Sequence, residues 1–222
     1  MTPLHRHQIA RLSPAGWRHL LAGDWDAEAR DCLRHWAVQA LPVVVTRQSE
    51  PDGDVIALGL CAPRRWRRRR LALRVPRADV LYFDEFPRLE QLVTQLPSAA
   101  RPAARRLAAA LQAHGATARV YGSHGWQHLS GLNHLREDSD LDLWVGVADA
   151  EQADAVAAAL NEFAVPALRL DGELVFPGDA AIAWREWQAW REGHSRALLV
   201  KRLHGASLVT SPGLFEAAEA LA

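Results

Sequence analysis

Apolar residues in the first part of the chain gather into short runs of strand length at Leu41–Thr46, Val55–Leu60 and Leu71–Val75, and Ala78–Phe83 offers a fourth. The first two are separated by SEPDGD, a stretch of turn-forming chemistry. Ahead of them, Ser13 and Pro14 suit an N-cap and first helical residue, and Asp24 suits the cap of a second helix through Leu33, Trp36 and Ala37. A helical stretch from Ser98 to His114 stops at Gly115. Next come a short strand through Ala118 and Val120 that ends at Tyr121, Gly122 and Ser123, and a second at Ser139–Val145 (SDLDLWV). Asp149 then caps a helix whose apolar stripe is Ala153, Val156, Ala157, Leu160 and Phe163. Leu168–Phe176 and Ala180–Trp184 read as a hairpin, and Trp187–Leu203 as a last helix. The pattern predicts a mixed α/β (α+β) protein. Pro87, Pro97 and Pro102 soften the boundary between a front α+β module, residues 1–96, and a second domain, residues 97–222.

The candidate chemistry lies between Arg119 and Val145. Side chains alternate along a strand, so Asp140 and Asp142 point one way while Leu141 and Leu143 enter an apolar face. Two carboxylates side by side repel each other unless one takes a proton or a cation sits between them. Mg²⁺ suits the position, because it is ordinarily held by one or two carboxylates with water and phosphate completing its shell. Upstream, Gly122 allows close backbone approach to a phosphate, and Ser123 adds a hydroxyl and an amide donor.

Gly122 and Ser123 followed by Asp140, Leu141, Asp142 and Leu143 resemble the signature of the polymerase-β-like nucleotidyltransferase superfamily. That resemblance implies a nucleotidyltransferase core from about Ala103, with the carboxylates holding Mg²⁺ and the serine on a triphosphate. The gap from Ser123 to Asp140 is a few residues longer than is usual there. The run YGSHGWQHLSGLNHLREDSDLDLWV is similar to the phosphoribosyl-dephospho-CoA transferases of the malonate decarboxylase system, the holo-acyl-carrier-protein synthases. LPVVVTRQ from Leu41, DGELVFPGDAAIAWREW from Asp171 and LLVKRLHGASLV from Leu198 extend the similarity over most of the chain. It implies triphosphoribosyl-dephospho-CoA as donor and a serine of the malonate decarboxylase acyl carrier subunit as acceptor. The superfamily often adds a third carboxylate as general base; Glu173, Asp171 and Glu186 are candidates, and Glu186 is preferred as the end of the second hairpin strand. A salt bridge to Arg185 or Arg191 would also explain it.

Composition narrows the alternatives. Formal net charge is zero, which argues against a generic nucleic-acid binder. No apolar run is long enough for a membrane span, and the N-terminus lacks a signal-peptide core, so a cytoplasmic protein is expected. Cys32 and Cys61 form no CxxC pair and suit buried free thiols. Arg64–Arg70, interrupted by Trp66, is the densest charge in the chain. It suits a solvated loop, a phosphate site including Arg67, a dock for an acidic carrier, or a nucleic-acid contact through the tryptophan. Lys201 is the single lysine, and either a phosphate contact or a helix-end charge accounts for it. Trp126 could face the adenine or pantetheine arm, whereas His124, His128 and His134 are not needed for a carboxylate-held Mg²⁺. Two other classes stay open: a nucleotidyltransferase using an ordinary nucleoside triphosphate, and a non-catalytic binding module built on the arginines.

Overall fold

The computed structural model describes residues 4–49, 54–166 and 168–210, and the chain separates into two compact units. One comprises the chain up to Phe86 together with Ser123–Glu137 and Leu203–Gly205; the other comprises Pro87–Gly122, Asp138–Arg202 and the chain from Ala206. The sequence passes between units at Phe86 and Pro87, inside the proline-punctuated region. The stretch between the two motif halves returns to the first unit, which no linear division foresees.

The first unit begins with β1 (Ile9–Leu12), α1 (Pro14–Leu21) and α2 (Ala27–Val38), followed by β2 (Val43–Val45), β3 (Val55–Cys61), β4 (Arg70–Pro76) and β5 (Val80–Asp84). The strands form an antiparallel sheet in the order β4-β3-β2-β1-β5. Trp17, Leu20, Leu33 and Trp36 from the helices pack with Val43, Ile56, Leu58, Leu71 and Leu73 from the sheet. Ser13 caps α1 as expected, its Oγ accepting from Gly16 N–H at 3.1 Å. The cap of α2 is Asp26 instead of Asp24: Asp26 immediately precedes the helix in extended backbone, and Ala29 N–H donates to its Oδ1 at 2.9 Å. Strand β1 was not expected, because IARL is short and polar residues precede it. The central residues of the expected SEPDGD turn, 50–53, lie outside the described residues.

The second unit contains α3 (Leu89–Leu92), α4 (Arg101–Ala113) and β6 (Ala118–Val120). The chain then runs through α5 (Gly122–Ser130), nearly all of it in the first unit, to β7 (Leu141–Gly146), α6 (Ala150–Asn161), β8 (Leu170–Phe176), β9 (Ala180–Ala183), α7 (Trp184–Arg191), β10 (Leu198–Lys201) and β11 (Ala206–Val209). The sheet order is β11-β10-β9-β8-β7-β6, antiparallel throughout except for the parallel β7–β8 pair that α6 connects. Asp149 caps α6 as expected, accepting from Gln152 N–H at 2.9 Å. The α6 residues Ala153, Val156, Ala157 and Leu160 are buried in the same cluster as Leu141, Leu143 and Leu174.

The expected final helix is overturned. Helix α7 covers only its start, Gly193 follows with φ +78°, and Leu198–Lys201 pairs with β9 and β11. Leu198 and Val200 are buried while Leu199 is exposed, the period of a strand, but a run this short does not separate strand from helix by pattern alone. Lys201 therefore ends a strand, and Glu186, expected at the end of the hairpin, lies in the first turn of α7.

Candidate active site

The polar face of the second unit's sheet is acidic where β7 and β8 run side by side. Asp142 on β7 is opposite Asp171 on β8, and Trp144 is opposite Glu173. Residues paired across strands share a face, so Asp142, Asp171 and Glu173 stand together while Leu141 and Leu143 anchor β7 in the core from the other side. Gly172 makes this register possible. With φ +149° it brings its α-carbon so close to β7 that a Cβ would lie 2.1 Å from the Leu143 carbonyl oxygen.

Burial and crowding act together on Asp142. Burial first, then the charges of Asp171 and Asp140, raise the Asp142 pKa to about 6. Asp140, just before β7, is held by Arg169: Arg169 Nε donates to Asp140 Oδ1 at 2.8 Å, and Nη2 donates to Oδ2. This pairing keeps the Asp140 carboxyl below its ordinary range. Arg169 Nη2 also lies 3.5 Å from Asp171 Oδ2. Glu173 is buried and accepts from Lys201 Nζ at 2.9 Å. Asp142 alone among these carboxylates has no cation hydrogen-bonded to its side chain among the described residues.

The sequence expectation that Gly122 serves this face acquires a geometric form. Gly122 has φ +59°, and a Cβ there would lie 1.9 Å from Asp142 Oδ2. The aspartate oxygen fills the space a side chain would occupy, so only glycine fits. Tyr121 N–H donates to the Asp142 carbonyl at 3.1 Å and fixes the same approach from the backbone.

The donor set suits a hard divalent cation. It is all oxygen, it carries unneutralised charge at Asp142, and its backbone approach is pinned by Gly122. Among the described residues no three Asp, Glu, His or Cys side chains converge as a metal cage. A cation held by Asp140 and Asp142 would therefore take further ligands from water and phosphate, as Mg²⁺ ordinarily does.

Other expected site residues have partners of their own. Ser123 belongs to the first unit, at the start of α5, where its Oγ accepts from Arg68 Nη2 at 3.1 Å. Arg67 is exposed, and its Nε donates to Glu28 Oε1 at 2.9 Å. Glu186 is exposed on α7, while Arg191 pairs with Asp154 and Arg185 donates to the Leu170 carbonyl. Trp126 is buried, edge-on to Phe86 and stacked near His134, so it is a core residue and no platform for a ligand. His124 and His134 are buried too; burial, joined by the Arg68 charge, lowers the His134 pKa to about 4. Cys61 is partly buried and Cys32 fully so; both are free thiols whose pKa burial raises.

Comparison with known proteins decides the family. Residues 88–212 match the family described as phosphoribosyl-dephospho-CoA transferase MdcG, C-terminal domain, and residues 5–86 match its N-terminal domain. The chain belongs to this transferase family. A phosphoribosyl-dephospho-CoA transferase of Xanthomonas euvesicatoria is 34% identical over 214 residues, 95% of this chain and 96% of that protein. One from Bradyrhizobium diazoefficiens is 34% identical over 209 residues, 93% and 90% of the two chains. A third, from Xanthomonas axonopodis, is 33% identical over 219 residues, 97% and 98%. No solved structure matches the chain.

In this family member two arginines beside the candidate residues escaped sequence reasoning. Arg169 had a legible signal: in Leu168–Leu174 (LRLDGEL), Arg169, Asp171 and Glu173 recur at period two and so share the acidic face. Arg68 had none, because nothing in a run of arginines marks the one that turns toward Ser123.

Proposed function

We propose that this chain transfers the phosphoribosyl-dephospho-CoA group from 2′-(5″-triphosphoribosyl)-3′-dephospho-CoA to a serine hydroxyl of a malonate decarboxylase acyl carrier subunit, releasing diphosphate. The observation that carries the reading is the meeting of Gly122 with Asp142 on an acidic strand pair, in a chain matched over nearly its full length by transferases of that name. A nucleotidyltransferase core of the polymerase-β type and a cytoplasmic location go with it. Among the described residues no helix is long and apolar enough to cross a membrane.

Asp140 and Asp142 would hold Mg²⁺, which neutralises phosphate charge and stabilises the departing diphosphate when bound. The serine oxygen forms a bond to the phosphorus next to the ribose, and the bond from that phosphorus to the diphosphate oxygen breaks. The product is a phosphodiester, and the serine proton passes to a carboxylate. Asp171 is a better base than Glu186, because it stands beside Asp142 and is partly exposed, whereas Glu173 is engaged by Lys201. Gly122 lets the backbone close on Asp142 Oδ2, and Ser123, next in the chain, offers its hydroxyl and amide. Positioning and charge compensation supply most of the rate in such transfers. Arg67, among the exposed arginines, and Lys201 would add positive charge toward the phosphates or the acidic carrier.

The test is the intact mass of purified apo carrier after incubation with this protein, Mg²⁺ and either the triphosphoribosyl donor or ATP. A gain equal to the phosphoribosyl-dephospho-CoA group, absent with Asp142→Asn, is the expected result. A gain of a nucleoside monophosphate from ATP would instead indicate an ordinary nucleotidyltransferase, and no gain with either donor would refute the transfer reading.

A further inference from the structure

Arg169 occupies an unusual place. Its backbone carbonyl accepts from Leu141 N–H at 2.8 Å, so its main chain is fixed beside the start of β7. Its side chain is 63% exposed, yet one guanidinium engages both oxygens of Asp140 and reaches toward Asp171. Those carboxylates flank Asp142, which has no such partner. A fork of this kind takes a lone pair from each Asp140 oxygen, on the side where a planar cation fits best. The same fork fits two oxygens of a phosphate equally well. A divalent cation arriving between Asp140 and Asp142 competes with the guanidinium for Asp140, and an exposed pair is weak enough to lose that competition.

We propose that Arg169 is a displaceable counter-ion: it holds Asp140 and Asp171 in the metal-free protein, then exchanges them for phosphate oxygens of a di- or triphosphate as a divalent cation takes its place. The inference rests on the metal reading above and gives Arg169 a role in positioning the polyphosphate. It predicts opposite signs for two affinities of one variant. With Arg169→Ala, Mn²⁺ alone has lost a competitor and binds more tightly, by about two- to fivefold for an exposed pair. Inorganic pyrophosphate in the presence of Mn²⁺ has lost a bidentate partner and binds more weakly, by about tenfold or more.

The experiment is an electron paramagnetic resonance titration of Mn²⁺, with and without inorganic pyrophosphate. It uses the full-length wild type, Arg169→Ala, Arg169→Lys and Asp142→Asn, each checked for a native thermal transition. Tighter Mn²⁺ and weaker pyrophosphate in Arg169→Ala, with Arg169→Lys near wild type for Mn²⁺ alone and intermediate for pyrophosphate, is the expected pattern. An arginine that merely braces the carboxylates would weaken both affinities when removed, and that result overturns the exchange, as does no change in either. Asp142→Asn separates the two layers of argument. Wild-type Mn²⁺ binding that Asp142→Asn abolishes keeps the metal reading even where the Arg169 result is negative. Wild-type protein that binds no Mn²⁺, or binds it regardless of Asp142, refutes the metal reading and the exchange together.

Discussion

The arginine loop of the first unit and the carboxylate face of the second are both crowded with like charge, but they relieve the crowding differently. In the loop, Arg65 pairs with Asp31, Arg67 with Glu28 and Arg69 with Asp26, so helix α2 and its cap supply an acid for alternate arginines. On the face, Arg169 and Lys201 neutralise Asp140 and Glu173, and Asp142 is left with a raised pKa. The loop holds more charge in fewer residues, yet much of it is spent on structure. Charge density in a sequence is therefore a poorer guide to chemistry than charge that folding leaves unmatched.

Asp142 is where the contrast breaks most sharply. Asp142→Asn removes the unmatched charge, and turnover is expected to fall by about a thousandfold or more, measured by carrier mass. Stability should move the other way. The folded-state pKa near 6 lies above the ordinary aspartate value of 3.8, so the native state binds the proton more tightly. This favours folding at low pH, and the advantage is lost as pH rises toward 6, leaving a cost above it of up to about 3 kcal/mol. Metal-free Asp142→Asn should therefore be more stable than wild type at pH 7.5 and lose that advantage near pH 4, as urea unfolding at the two pH values would show. Equal gains at both would mean that ionisation of Asp142 is not the cause.

Gly122→Ala attacks the same aspartate from the backbone. The new methyl would meet Asp142 Oδ2 at 1.9 Å and sit in left-handed backbone. A carboxylate displaced by even an ångström costs about a hundredfold in rate, and the backbone penalty is about 1 kcal/mol. Turnover and a thermal melt measure the two parts separately.

Lys201 tests the matched side. Lys201→Met removes the cation 2.9 Å from buried Glu173, which should cost about 1 to 2 kcal/mol once the lysine's exposure is allowed for. Adding Glu173→Gln should recover most of the loss in urea unfolding. Failure to recover would show that the lysine stem, and not its charge, is what stabilises β10.

Much of this contrast was legible in the sequence, and its limits have physical causes. Helix caps at Ser13 and Asp149, the stripe on α6 and the apolar pair Leu141 and Leu143 are local patterns, and they fold as read. Gly122 and Asp142 could each be singled out from local pattern, as a phosphate approach and a metal ligand, but that they meet each other comes from the fold. Apart from the α2 cap, which moved two residues to Asp26, what failed was long-range: β1 and β10 are defined by the strands they pair with, and Lys201 meets Glu173 only through that sheet. Partners chosen among seven neighbouring residues, as in the arginine loop, depend on backbone turns that composition does not encode.

Those turns carry the smallest predicted effects. Arg67 and Arg68 both adopt left-handed backbone, with φ +53° and +58°, and between them the chain switches partners from Glu28 to Ser123. Arg67→Ala removes one exposed ion pair and should change stability by less than about 1 kcal/mol. If Arg67 instead binds phosphate, the Michaelis constant for the donor will rise well beyond that, so steady-state kinetics distinguishes the two roles. Arg68→Ala should act where Arg67→Ala does not: losing its positive charge lets the His134 pKa climb from about 4, although burial continues to hold it below the ordinary range. Following the His134 ring protons by NMR across pH reads this directly. A shift with Arg68→Ala and none with Arg67→Ala would show that adjacent arginines of one run are committed to different partners. Identical titrations would mean that the loop's charges act on its surroundings only as an average.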